Sequence, residues 1–205
     1  MSMKLVPRVL VKIVVLGEGG VGKTTISKYI EKNVVSTTSQ TIGMDFHVKH
    51  LVFKSFPCTV QLWDFGGQDQ FKNMGIFSKL CEGAKGAFVC FDLSDLNTYN
   101  LAQDWLNFLP AGTPFVVVGT KADLVNNRMA KMSDLDLFRT RTGFISYFET
   151  RIDDTSTIDS ALASLLEIVL CISEDTTDTP TTGNPIENRL TPNERHEKVL
   201  ATSPL

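Results

Sequence analysis

Eight residues, Gly17-Glu18-Gly19-Gly20-Val21-Gly22-Lys23-Thr24, constrain this chain more than any others. They match GxxxxGK[ST] and stand between an apolar, β-branched run at residues 9–16 and a helical pattern at 24–32. Glycines in such a loop let backbone N–H groups converge on phosphate oxygens, and the helix N-terminus adds positive potential. Lys23 is placed to reach the β- and γ-phosphates, and the Thr24 hydroxyl to ligate Mg²⁺. Gly17, Gly19, Gly20, Val21, Gly22, Lys23, Thr24 and Thr25 are therefore candidate ligands of a nucleoside triphosphate. The bland alternative is a glycine-rich turn with no ligand, and motif and context together argue against it. The motif does not select the base.

Short apolar runs recur at residues 58–63, 87–91, 114–118 and 144–148, separated by helical patterns at 97–109 and 133–141. A last helical pattern at 157–171 has apolar residues at 158, 161, 162, 165, 166, 169 and 170. Strands alternating with helices predict a doubly wound α/β sheet, with ligands at the carboxyl ends of its strands. Residues 48–53 and 58–63 are joined only by Lys54-Ser55-Phe56-Pro57, too short for a crossover, so one hairpin interrupts the pattern. The expected fold is α/β: a P-loop NTPase with a mostly parallel six-stranded sheet and one antiparallel edge strand.

Two further motifs end predicted strands. In Trp63-Asp64-Phe65-Gly66-Gly67-Gln68, 41 residues after Lys23, an acid is placed to hold Mg²⁺. Gly67 offers an N–H to the γ-phosphate, and Gln68 is placed to orient an attacking water. Gln68, Lys23 and Gly67 form the candidate catalytic set. Alone, DxxGQ is short and a plain strand-end turn explains it; its place in a P-loop sheet favours the functional role. Thr120-Lys121-Ala122-Asp123 follows Val116-Val117-Val118-Gly119. A carboxylate there can accept hydrogen bonds from guanine N1–H and N2–H₂, donors that adenine does not present. A site built for such donors rejects the other base strongly.

In order and spacing, the P-loop, Thr41-Ile42-Gly43, DxxGQ and TKAD resemble the Ras superfamily over residues 9–171. Thr41-Ile42-Gly43-Met44-Asp45-Phe46 and Gly83-Ala84-Lys85-Gly86-Ala87 look most like the Rab branch, Thr120 is similar to Rho-type members, and Gly19-Gly20 to Ras itself. The mixture fits a divergent member, archaeal or early-branching. The resemblance implies a small GTPase switch that binds GTP or GDP with Mg²⁺ and hydrolyses GTP slowly. Thr41, with Thr24 and Asp64, then belongs to the Mg²⁺ site, and Thr120, Lys121, Asp123 and Ile152 to the base. Residues 34–46 and 66–77 become switches that an exchange factor, a GTPase-activating protein and effectors read. Phe46 and Trp63 match two effector-reading aromatics, with Phe77 a candidate third; core packing competes for all of them.

Departures from the family pattern are specific. Glu149-Thr150-Arg151-Ile152-Asp153 stands where relatives carry Glu-x-Ser-Ala-Lys, leaving only a backbone N–H of Ile152 for guanine O6. Val34 replaces the usual base-covering aromatic, and Gly66 replaces a customary alanine. These changes predict weaker base-side binding. His47 and His50, three apart on a strand, face opposite sides and make no metal site.

A net charge of −3 gives no case for nucleic acid. Residues 1–172 balance at 17 acids and 17 bases, so the acidity belongs to residues 173–205. That segment holds half of the eight prolines and no aromatic residue, and is expected to be a disordered Thr/Pro-rich acidic tail beyond a G domain at 1–172. Cys58, Cys81, Cys90 and Cys171 lack metal-ligand spacing and are expected as free thiols of a reducing compartment. No stretch of 18 apolar residues, no C-terminal prenylation motif and Ser2 in place of a myristoylated glycine predict a cytoplasmic monomer without a direct lipid anchor. Two other functions were weighed: a nucleotide-locked interaction module, opposed by Gln68, and an ATP-dependent kinase or motor, opposed by Asp123.

Overall fold

The computed structural model describes residues 8–32, 43–66, 76–124 and 132–174. In these, six strands form one sheet in the order β2-β3-β1-β4-β5-β6. The strands are β1 (Val9–Leu16), β2 (Met44–Phe53), β3 (Phe56–Phe65), β4 (Gly86–Asp92), β5 (Phe115–Thr120) and β6 (Tyr147–Glu149). Five described helices accompany them: α1 (Lys23–Lys32), α2 (Ile76–Cys81), α3 (Leu96–Leu106), α4 (Met132–Thr142) and α5 (Ser156–Glu174). All neighbouring strands pair in parallel except β2 with β3. The expected doubly wound sheet with one antiparallel edge strand is what the chain forms.

Helices cover both faces of the sheet, which is why β4 and β5 are buried at every residue. On one face Ile26 and Ile30 of α1 and Leu162, Leu165 and Leu166 of α5 pack on Val11, Ile13 and Val15. On the other, Phe77, Ala102, Trp105 and Phe138 pack on Val14, Leu16, Val89 and Phe91. The alternation along β1 sends odd residues to the first face and even ones to the second. Gly86 lets α5 sit close, since a Cβ there would lie 2.9 Å from Leu165.

Element ends differ from the sequence expectation for local reasons. The β2–β3 turn is two residues, Lys54 and Ser55, both left-handed at φ 44° and 73°. Such turns are normally signalled by Asn or Gly, which this one lacks. Phe56 and Pro57 consequently join β3. Pro57 is tolerated because β1 begins pairing only at Cys58, so no ladder bond is lost. β6 begins at Tyr147 rather than 144, because Phe144 turns into the core against Phe138. The short α2 had no periodicity to betray it. α5 runs to Glu174, so residues 173 and 174 belong to the helix, and 175–205 lie outside the described residues.

β1 lies between β3 and β4, so successive connections leave it in opposite directions. That switch point opens a crevice at the carboxyl ends of the strands. Leu16, Phe65, Asp92, Thr120 and Glu149 end there, and the predicted motifs follow directly.

Candidate functional site

The loop after β1 is pressed against the end of β4. Gly17 has φ 140°, and a Cβ on it would stand 2.2 Å from the Cys90 carbonyl oxygen, so no side chain fits. Gly20 and Gly22 also have positive φ. Lys23 is buried, and its ammonium donates to the Gly17 and Glu18 carbonyls at 2.8 and 2.6 Å. The cation thus lies under the loop, at the N-terminus of α1, where anionic oxygens are favoured.

Asp64 is fully buried at the end of β3. The Thr24 hydroxyl donates to its Oδ2 at 2.5 Å, while among the described residues Oδ1 has no hydrogen-bond partner. Burial pushes the Asp64 carboxyl up from its ordinary range, against the lowering effects of the Thr24 bond and the Lys23 and His47 charges. A buried carboxylate with an open oxygen is costly unless something meets it. Two hard oxygen groups beside a phosphate-binding loop suit Mg²⁺. The donor set therefore fits the ion that the fold family implies. Among the described residues, no cluster of three or more His, Cys, Asp or Glu makes another metal site.

The base-side loops are joined to the phosphate loop by Thr120. Its buried hydroxyl lies 2.5 Å from the Val21 carbonyl oxygen and 2.9 Å from that of Phe91, sharing one proton between them. Lys121 adopts φ 58° and its ammonium meets Asp92 at 2.6 Å. Burial raises the Asp92 carboxyl, but Lys121 and two bonds from Ser94 outweigh it and hold the group below its usual range. The Thr150 N–H donates to the Gly119 carbonyl, and Ala122 N–H to that of Thr150. These bonds bring Lys121, Asp123 and Ile152 around one cavity of about 240 Å³, which Gly22, Thr25, Thr120 and Arg151 also line. That is just below the range of roughly 300–1,000 Å³ for small-molecule pockets.

Thr41, Gly67 and Gln68, with most of 34–46 and 66–77, lie outside the described residues. The described edges of those segments are tied together, with Gly66 N–H donating to the Gly43 carbonyl at 2.8 Å. Phe46, 55% exposed, packs edge-on against Trp63 at 4.6 Å. The Lys12 ammonium lies 3.6 Å over the Trp63 ring and donates to the Leu80 and Glu82 carbonyls at the end of α2. For Phe77 the competing alternative, core packing, holds. It is 2% exposed, with Phe65, Trp105 and Phe108 rings about it, and belongs to the core.

His47 is buried and meets Glu31 at 3.2 Å, while His50 is exposed and meets Thr59 at 3.0 Å, so the two face opposite sides as expected. Cys58, Cys81 and Cys90 are buried free thiols. Among the described residues, no helix is long and apolar enough to cross a membrane. Sequence reasoning missed Asp92, a strand-end acid that position alone marks. It also missed the Trp105 indole N–H bond to Glu18 in the phosphate loop, 2.8 Å long and spanning 87 positions.

A Ras family model matches residues 12–171. The chain belongs to the Ras family. "Ras-related protein Rab-7a" of Dictyostelium discoideum is 32% identical over 167 residues, 77% of this chain and 81% of its own. "Ras-related protein Rab-32" of Mus musculus is 37% identical over 172 residues, 78% and 76% of the two chains. "Ras-related protein Rab7" of Pisum sativum is 29% identical over 199 residues, 90% and 96%. At these identities the chain is a divergent, Rab-like small GTPase of the Ras superfamily. Family membership accounts for the P-loop, strand-end acid and base loop meeting in one crevice.

Asp64 yields a prediction in which stability and binding move oppositely. A carboxyl whose folded-state pKa lies above its unfolded value favours folding when protonated, and that favour is lost as pH rises through the folded pKa. Asp64→Asn keeps an acceptor for Thr24 and removes the buried charge. At pH 7.5, without nucleotide or metal, its Tm should rise by roughly 2–4 °C, about 1 kcal/mol for a domain this size. The gain should shrink as pH falls toward the unfolded carboxyl value of about 3.9. Mg²⁺-dependent nucleotide affinity should fall in the same variant. A Tm at pH 7.5 at or below that of the parent would contradict this account of the carboxylate.

Proposed function

We propose that this chain is a molecular switch that binds GTP and GDP with Mg²⁺ and hydrolyses GTP to GDP and phosphate. The observation that carries the proposal is the buried Asp64 carboxylate, held by Thr24 and close to the charge of Lys23, with a cavity lined by Gly22, Thr25 and Asp123 beside the same phosphate-loop helix.

Gly17, Gly19, Gly20, Val21 and Gly22 present backbone N–H groups to the phosphates, with Thr25 at the α-phosphate side. On nucleotide binding Lys23 exchanges loop carbonyls for β- and γ-phosphate oxygens. Thr24, Thr41 and Asp64 would hold Mg²⁺, which when bound neutralises charge on the phosphate oxygens. Gly67 donates its N–H to the γ-phosphate, and Gln68 orients the water that attacks it. Asp123 accepts from guanine N1–H and N2–H₂, the Lys121 stem lies along the base, and Ile152 N–H faces guanine O6. Thr120 acts by fastening the phosphate loop to the base loop. No arginine is evident as a cis finger, so intrinsic turnover is slow and an activating partner completes the site.

The γ-phosphate orders residues 34–46 and 66–77, and that order is what an exchange factor, an activating protein and effectors sense. Exposed Phe46 on half-buried Trp63, with Lys12 over the Trp63 ring, supports an aromatic contact for an effector between the two switches.

Asp123→Asn should turn the base preference from guanine toward xanthine nucleotides, which present an acceptor where guanine has its amino group. The shift in the GTP-to-XTP affinity ratio should be at least roughly tenfold. An unchanged ratio in a competition titration would reject the assignment. Gln68→Leu should keep GTP binding while single-turnover hydrolysis falls roughly tenfold or more, the low end for such groups. Hydrolysis at the parent rate would give the water to another residue.

A further inference from the structure

The segment after β6 holds the chain's sharpest departure from its relatives, and it opens onto the base cavity. Arg151 lines that cavity together with Asp123 and Ile152. Its guanidinium is gripped side-on by Asp153, Nε donating to Oδ1 at 2.9 Å and Nη2 to Oδ2 at 2.8 Å. Both residues are about half exposed, so the pair contributes little to stability. Its consequence is where it holds the cation.

Asp123 is the group at stake. It lines the same cavity as Arg151, and among the described residues no hydrogen bond engages its carboxylate. A planar guanidinium matches a carboxylate bidentately, and would occupy the same two oxygens that guanine N1–H and N2–H₂ require. Arg151 is within electrostatic reach: its pKa is raised first by Asp153, and the charges of Asp123 and Asp154 add to this. Asp154 is engaged elsewhere, accepting from the Ser156 N–H and hydroxyl at 3.1 and 2.7 Å where α5 begins. Asp153 alone among these acids grips the fork.

We propose that Asp153 holds Arg151 aside at the cavity mouth, keeping Asp123 open to read the base. The inference rests on the guanine assignment above and adds a specificity device to it. Asp153 is a positioning residue, acting through Arg151 against a competing ion pair.

Titration calorimetry of the full chain with Mg²⁺ and GDP, IDP or ADP tests it. Hypoxanthine lacks the 2-amino group, so IDP depends less on Asp123 than GDP does. Asp153→Ala should weaken GDP binding about tenfold and IDP less, narrowing the ratio between them. Arg151→Ala/Asp153→Ala should bind GDP more tightly than Asp153→Ala and as tightly as Arg151→Ala alone, the non-additivity of a shared contact. High salt should shrink the Asp153→Ala defect by screening the unwanted pair. An Asp153→Ala protein with parent affinity overturns the proposal, as does a loss that persists in the double variant. Arg151→Ala losing as much as Asp153→Ala also overturns it, because Arg151 would then touch the nucleotide itself. A parent protein that binds ADP as well as GDP removes the base assignment instead, a failure visible before any variant is made.

Discussion

Burying the Asp64 carboxylate is the constraint around which the site is arranged. The group has left water entirely, and among the described residues only its Oδ2 is met, by Thr24. An isolated charge in that position costs several kcal/mol unless it is paired and hydrogen bonded. Lys23 supplies part of the compensation through its charge, yet its hydrogen bonds go to Gly17 and Glu18. A hard divalent cation held by Thr24 and Asp64 would offset that cost, which is why the proposed ligand suits this position.

The scaffold can hold such a group because its strand ends are fixed to one another from several directions. Gly17 brings the phosphate loop into contact with the Cys90 backbone, and Thr120 ties Val21 to Phe91. Trp105, fully buried in α3, reaches the loop through Glu18. Lys121 and Asp92 join the base loop to β4, and Thr150 joins it to the end of β6. Loops joined in this way keep donors and acceptors preorganised, which is what differential recognition of a charged ligand demands. By contrast the edge strand β2 carries exposed Phe46 and Val48 on its open side.

Much of this was legible in the sequence because it is local. A strand ending in glycines and a lysine, a strand ending in Asp64 and a strand followed by Thr120-Lys121-Ala122-Asp123 each declare a site within a few residues. The two-sided burial of β4 and β5 is likewise written as unbroken apolar runs. What escaped was long-range or conformational. Nothing near Glu18 announces Trp105, and a left-handed Lys54-Ser55 turn violates the usual residue preference. Core packing and effector contact stayed open for Phe77, and only its tertiary packing against Trp105 of α3 decides for the core.

The central claim is that Asp64 and Asp123 serve one ligand, a guanine nucleotide held with Mg²⁺. The direct measurement is to load the purified full chain from an equimolar GTP and ATP mixture, with and without Mg²⁺, and remove free nucleotide. Denaturation and chromatography of what is released then identify the ligand over time. The account predicts guanine nucleotide almost alone, retained with Mg²⁺ and slowly becoming GDP only when Mg²⁺ is present. Adenine nucleotide released in comparable amount, or guanine nucleotide retained and hydrolysed equally well without Mg²⁺, would contradict it.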